Sequence, residues 1–347
     1  MTSDSRLPVN VLTGFLGAGK TTLLKHWLQS PQLANTAVII NELGAVGLDH
    51  LLVDNSQESL FLLDNGCLCC AVRDDLITSL QDLQARRAGG ELPAFDRVVI
   101  ETTGLADPLP VLQTLMMAEG VVEHFRADAV ITCVDGVNGI KTLENYPEAL
   151  KQVELADVLL VTKQDLSAAA DTAVTERLAE INPLAQRLLV SNGQLDASVL
   201  LQSALLPLEQ QSARQLPASA ASGAHSGRVR SLVLMTDDAI SNFDINCWLE
   251  IVTSVYEGQL LRLKGLVKEA SNPQQPLLLH AVQALVSDPQ RLDQWPSSDQ
   301  RTRIVLIGER LDEEDIRRVF QTFTGARLID SQQNPLALLG VGSLKPV

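Results

Sequence analysis

Four short segments of the chain carry residue types whose spacing can do chemistry. The first, Gly14-Phe15-Leu16-Gly17-Ala18-Gly19-Lys20-Thr21, fits G-x-x-x-x-G-K-[ST], with Thr22 behind it. Glycine lets such a loop curl until successive backbone N–H groups point at phosphate oxygens, and the helix that follows adds the positive end of its dipole. Gly14, Gly17, Ala18, Gly19, Lys20, Thr21 and Thr22 are therefore candidate phosphate contacts. The Lys20 ammonium reaches the β and γ phosphates in this reading, and the Thr21 hydroxyl ligates Mg2+. Average residue frequencies produce such a match about once per hundred chains of this size, so its flanks decide whether it counts. An apolar run at 9–13 precedes it and a helical pattern at 21–28 follows, which is the required context.

A site of this kind also needs a carboxylate ending a second strand, to orient Mg2+, and a nearby glycine to meet the γ phosphate. Val98-Val99-Ile100-Glu101-Thr102-Thr103-Gly104 supplies both, in Glu101 and Gly104. Third, the buried-looking strand 158–162 runs into Thr162-Lys163-Gln164-Asp165. An Asp there can accept hydrogen bonds from the ring N1–H and exocyclic amine of guanine, which adenine lacks, while the Lys163 stem packs on the base. GTP is thus the favoured nucleotide.

The fourth segment is Asn65-Gly66-Cys67-Leu68-Cys69-Cys70. Three thiols so close together do not make an ordinary disulfide framework, and thiolates bind Zn2+ well. Gly66 allows a tight turn that could converge Cys67, Cys69 and Cys70 on one ion, leaving a fourth position for a carboxylate, water or partner ligand; Glu42 is the candidate. Such an incomplete shell suits transfer better than a structural site. Co2+ fits the same tetrahedral shell as Zn2+. The alternative is redox sensing, through a disulfide or sulfenate formed by the same thiols.

These residues need a frame, and the sequence provides one. Strand-like runs at 9–13, 36–41, 97–101, 129–135, 158–162 and 187–190 alternate with helical patterns at 21–28, 76–86, 111–118 and 172–181. Strands alternating with helices predict a parallel sheet covered on both faces. The expectation is an α/β P-loop domain with a mostly parallel sheet over 1–206, followed by a linker at 207–228 that is rich in Ser, Ala, Gln and Gly. Beyond it, strands at 230–236, 260–268, 277–286 and 302–308 with helices at 245–256 and 313–324 predict a smaller α+β domain over 229–347.

Composition excludes several classes of function. The chain has 347 residues, is 46% hydrophobic and carries a formal charge of -15, so it builds a large core and repels phosphate backbones and anionic membranes. Neither nucleic acid nor a membrane is expected as a partner. The first ten residues lack the basic region and apolar run of a signal peptide, which points to a cytoplasmic protein. Cys133 and Cys247 fall in a strand and a helix and read as small core residues.

With GFLGAGKTT, NELGAVGLD, NGCLCC, ETTGLADP and TKQD in this order, the chain resembles the CobW-type GTPases, a branch of the SIMIBI P-loop proteins regarded as metal chaperones or metalloprotein activators. The resemblance extends into the second domain through Leu260-Leu261-Arg262-Leu263-Lys264-Gly265 and the run from Arg301 to Gly308. It implies GTP binding, slow hydrolysis, and metal affinity that rises in the GTP state, with a client metalloprotein as the recipient. The family's Cys-x-Cys-Cys falls on Cys67, Cys69 and Cys70, its Mg2+ carboxylate on Glu101, and the glutamate of its Asn-Glu-x-Gly switch on Glu42. Two departures stand out: Ala45 replaces an acidic residue common in relatives, and His225 stands alone where many carry a histidine-rich stretch. Leu105 follows Gly104, so the usual water-orienting glutamine is missing and hydrolysis should await metal or client.

Overall fold

The computed structural model describes residues 5–41, 62–64, 72–166, 171–182, 185–198 and 229–329. The chain divides into two compact units, residues 1–211 and 212–347. Glu42, Ala45, Cys67, Cys69, Cys70, His225 and the linker 207–228 lie outside the described residues.

In the first unit seven strands form one sheet: β1 (Leu7–Gly14), β2 (Thr36–Asn41), β3 (Leu62–Asp64), β4 (Arg97–Thr102), β5 (Phe125–Asp135), β6 (Val158–Thr162) and β7 (Gln186–Leu189). Their spatial order is β3-β2-β4-β1-β5-β6-β7, and every neighbouring pair is parallel. Strands such as Val158–Thr162 are buried along their whole length, because helices cover both faces of a parallel sheet. The helices are α1 (Lys20–Leu28), α2 (Val72–Ala88), α3 (Leu109–Met117), α4 (Gly139–Asn145), α5 (Pro147–Glu154) and α6 (Asp171–Ile181). Leu12, Leu23, Leu24, Trp27, Val99, Ile131 and Leu160 pack together beneath α1 and hold it to the sheet.

Register brings the chemistry to one edge. Leu12 pairs with Glu101, Gly14 with Cys133, and Asp135 with Thr162, so the carboxyl ends of β1, β4, β5 and β6 lie side by side. Open α/β sheets bind their ligands at that edge.

The second unit holds β8 (Val229–Thr236), α7 (Asn242–Val255), β9 (Leu260–Val267), β10 (Leu277–Val282), β11 (Leu285–Val286), β12 (Gln290–Arg291), β13 (Thr302–Glu309) and α8 (Glu313–Thr324). The strands pair antiparallel in the order β11-β10-β9-β13-β8, with β12 also on β10. One sheet face packs Leu234, Leu263, Leu279 and Leu306 on α7 and α8, whose Trp248 and Phe320 rings meet edge to face at 5.1 Å. Ser241 caps α7 and Asp312 caps α8, each accepting from the backbone N–H three residues on. By register, Arg262, Lys264, His280 and Arg303 share the opposite face, all buried. One expectation needs correcting: 277–286 is two strands, because the chain reverses after Val282 at Gln283, φ 54.

Candidate nucleotide-binding site

The loop after β1 is shaped by its neighbours. Gly14 has φ 140, and a Cβ there would lie 2.3 Å from the Cys133 carbonyl oxygen, so only glycine fits. Gly19 caps α1 at φ 90 and makes no side-chain cap hydrogen bond, so the positive end of the helix follows the loop directly, an arrangement that suits an anion. Lys20 is buried and folds back over the loop, its Nζ donating to the Gly14 carbonyl at 2.8 Å and that of Phe15 at 3.4 Å. The Thr162 hydroxyl donates to the Ala18 carbonyl at 2.8 Å and that of Val134 at 3.2 Å, so this side chain pins the loop from the far side. Burial pushes the Cys133 thiol up to about 12, against the pull of Lys20 and with the help of Glu101. It is therefore a packing group and not a thiolate.

The Thr21 hydroxyl donates to Glu101 Oε1 at 2.7 Å. A hydroxyl and a carboxylate beside the phosphate loop are the hard oxygen donors that Mg2+ prefers, so the residues present fit that ion. Behind them, the Thr102 hydroxyl donates to that of Thr13 at 2.8 Å and ties β4 to β1. Gly104 presses on the phosphate loop: a Cβ there would stand 2.6 Å from both the Leu16 backbone nitrogen and its Cδ2. The Thr103 hydroxyl oxygen is buried with no hydrogen-bond partner among the described residues.

At the other end of the site, Lys163 adopts φ 60 and its Nζ donates to Asp135 Oδ2 at 2.6 Å. Asp135 also accepts from the backbone N–H of Val137 at 2.8 Å and of Asn138 at 3.0 Å. Burial alone would raise this carboxyl, but Lys163 and the two N–H groups outweigh it and hold it below the usual range. The ion pair thereby ties the Lys163 side chain to the end of β5. Asp165 is exposed, and its Oδ1 accepts from the Asn192 backbone N–H at 2.8 Å, which orients the carboxylate. Asn192 and Gly193 turn at φ 53 and φ 65, and a Cβ on Gly193 would come within 2.8 Å of Thr22 Cγ2.

Lys20, Thr21, Glu101 and Gly104 thus converge around the phosphate loop, while Lys163 and Asp165 stand on the loop after β6. Sequence reasoning passed over Asp135, Asn192 and Gly193. An Asn-Gly pair one residue beyond the strand-like run 187–190 is a turn signal and could have revealed the last two. Among the described residues no group of three or more His, Cys, Asp or Glu side chains converges for a metal, and the expected thiol set with Glu42 lies outside them. No helix among the described residues is long and apolar enough to cross a membrane.

Comparison with known proteins adds to this geometry. Residues 8–188 match the family model described as CobW/HypB/UreG, nucleotide-binding domain, and residues 229–324 match the cobalamin synthesis protein cobW C-terminal domain. The chain is 35% identical over 315 residues to the zinc chaperone YjiA of Escherichia coli, covering 90% of this chain and 98% of that one. It is 36% identical over 198 residues to zinc-regulated GTPase metalloprotein activator 1 of Schizosaccharomyces pombe, covering 55% of this chain and 47% of that one. The crystal structure of Zn(II)-bound YjiA GTPase from E. coli superposes with a TM-score of 0.66 at 29% identity, covering 92% of this chain and 99% of that one.

Proposed function

Because the chain belongs to the CobW family, we propose that it is a GTP-gated zinc chaperone that carries its metal on Cys67, Cys69 and Cys70. The chain is a P-loop GTPase. Zinc is its cargo, and a client metalloprotein is the recipient. Bound Mg2+, held by Thr21 and Glu101, would neutralise phosphate charge. The chain's own groups do the rest: Lys20 and the uncapped first turn of α1 hold phosphates, and Asp165 with Lys163 selects guanine.

The observation that carries the reading is a shared sheet edge. Ile40 pairs with Glu101 on one side and with Asp64 on the other. The strand that leads into the cysteine segment therefore ends level with the Glu101 carboxylate, two strand spacings away, or ~10 Å. Asn41, which precedes Glu42, pairs with Thr102 in the same ladder. A nucleotide that shifts the β4 loop acts at the same sheet edge where β2 and β3 end, and the sequence runs on from those ends to Glu42 and to Cys67. Glu42 supplies the fourth metal ligand in this reading, and intrinsic hydrolysis is slow because Leu105 stands after Gly104.

The test is a chelator-competition titration of Zn2+ under reducing, anaerobic conditions, with Mg·GDP and then with Mg2+ plus a non-hydrolysable GTP analogue. Wild type is compared with a Cys67/Cys69/Cys70→Ala variant. The expected result is one Zn2+ bound at least ~5-fold more tightly in the GTP state, within the usual range of coupled sites, and lost in the variant. Equal affinity in both nucleotide states would overturn the gate and leave a thiol-based redox sensor.

A further inference from the structure

Helix α5 touches both walls of the nucleotide site. Its N-cap residue, Tyr146, packs on Phe15 of the phosphate loop with ring centroids 4.4 Å apart and the rings tilted by 35°. Near its other end, Gln152 Nε2 donates to the carbonyls of Gly104 at 3.2 Å and Ala106 at 2.9 Å. The neighbouring Lys151 Nζ donates to Asp107 Oδ2 at 3.0 Å, while Asp107 Oδ1 accepts from the Leu109 N–H and starts α3.

The helix is firmly seated. The Thr132 hydroxyl on β5 donates to the Gln152 carbonyl at 2.8 Å, and Asn182 at the end of α6 donates to the carbonyls of Val153 and Ala156, both at 2.9 Å. Gln152 itself is 1% exposed. Packing alone would be served better by an apolar side chain, since a buried amide is costly unless hydrogen-bonded. This amide directs its N–H groups to the loop that follows Glu101, and that loop abuts Leu16 through Gly104.

We infer that Gln152 is a positioning residue for the GTPase reaction: it holds the Gly104–Ala106 loop at the distance from the phosphate loop at which a γ phosphate is recognised. The inference rests on the assignment of this edge as the nucleotide site, and is independent of the metal reading. GDP has no γ phosphate, so a loop set wrongly should penalise GTP and spare GDP. General destabilisation would weaken both.

The experiment uses the full chain as wild type, Gln152→Met and Lys151→Ala. Methionine keeps the length of the side chain and removes the donors without burying a charge; Lys151 is half exposed, so its removal disturbs the same loop without touching the core. Affinities for Mg·GDP and for Mg2+ plus a non-hydrolysable GTP analogue are measured, with single-turnover hydrolysis. Gln152→Met is expected to keep GDP affinity to about twofold and to lose roughly fivefold or more in analogue affinity and in hydrolysis, with Lys151→Ala smaller in the same sense. Parallel weakening of both nucleotides, or no change in their ratio, would overturn the inference. If Gln152→Met does not fold, the ratio in Lys151→Ala decides alone. Failure of wild type to bind GDP would instead strike at the assignment of the nucleotide site.

Discussion

Replacing Gly104 by alanine adds one methyl group at the point where two loops of the site meet. Its φ lies outside the left-handed region, so the backbone itself tolerates a side chain. The cost comes from the neighbour: the new Cβ would stand 2.6 Å from the Leu16 nitrogen and 2.7 Å from its Cα, where ordinary contact begins near 3.4 Å. Those are backbone atoms of the phosphate loop and cannot rotate away, so the two loops must part by about 0.8 Å. Overpacking of this kind costs ~1–3 kcal/mol, and displacement of reacting groups by close to 1 Å costs ~100-fold in rate. Single-turnover hydrolysis by Gly104→Ala should therefore fall by about two orders of magnitude, while GDP affinity, measured by calorimetry, falls only a few fold. Gly90→Ala is the informative control, because it lies after α2 outside the named site, nothing stands within 4 Å of its Cβ, and only its φ of 70 is strained. A Gly104→Ala protein that hydrolyses GTP at the wild-type rate would refute the claim that this contact sets the site.

Two further outcomes follow from named groups. Asp165→Ala removes the carboxylate oriented by the Asn192 N–H, and the preference for GTP over ATP in a competition assay should drop ~10–100-fold, the worth of hydrogen bonds to a charged group; an unchanged preference would place guanine recognition elsewhere. Asp299 accepts from Arg301 at 2.9 and 2.8 Å and from Arg303 at 3.2 Å. Burial alone would raise its carboxyl, but these guanidinium groups pull it to about 2. Because the folded value lies below the unfolded one, its contribution, about 1–2 kcal/mol, is complete above pH ~4 and fades as the pH falls from there toward 2. Asp299→Asn should flatten the acid limb of the unfolding midpoint over that window; an identical acid limb would contradict the assignment.

The parts of the site that could be read from sequence are those whose residue types announce their own backbone needs. Gly14 and Gly19 are required by φ and by close approach, and Glu101 ends a run of apolar residues that only a buried strand explains. Helices α4 and α5 were not legible, since at 7 and 8 residues each is too short to display a helical period. Gln152 was invisible for a related reason: a glutamine in such a stretch reads as solvated, and its 1% exposure comes from tertiary contacts with Gly104 and Ala106. The β10–β11 hairpin hid because its turn is built on Gln283 and Ala284, without the glycine or asparagine that usually marks a two-residue reversal.

The sheet order also governs how the protein can come into being. β1 is made first, yet its two neighbours in the sheet are β4 and β5. Roughly 110 residues separate its end from the start of β5, and at ~5–20 residues per second the ribosome needs roughly 5 to 22 s to supply them. Until Arg97–Thr102 has been made the apolar strand Leu7–Gly14 has no partner on either edge, and its second edge stays open until β5 follows. The phosphate loop cannot take its shape either, because the Cys133 carbonyl that restricts Gly14 and the Thr162 hydroxyl that pins Ala18 do not yet exist. Nucleotide capture is thus a late event in biosynthesis, waiting until Thr162 at the end of β6 has been made and has joined the sheet.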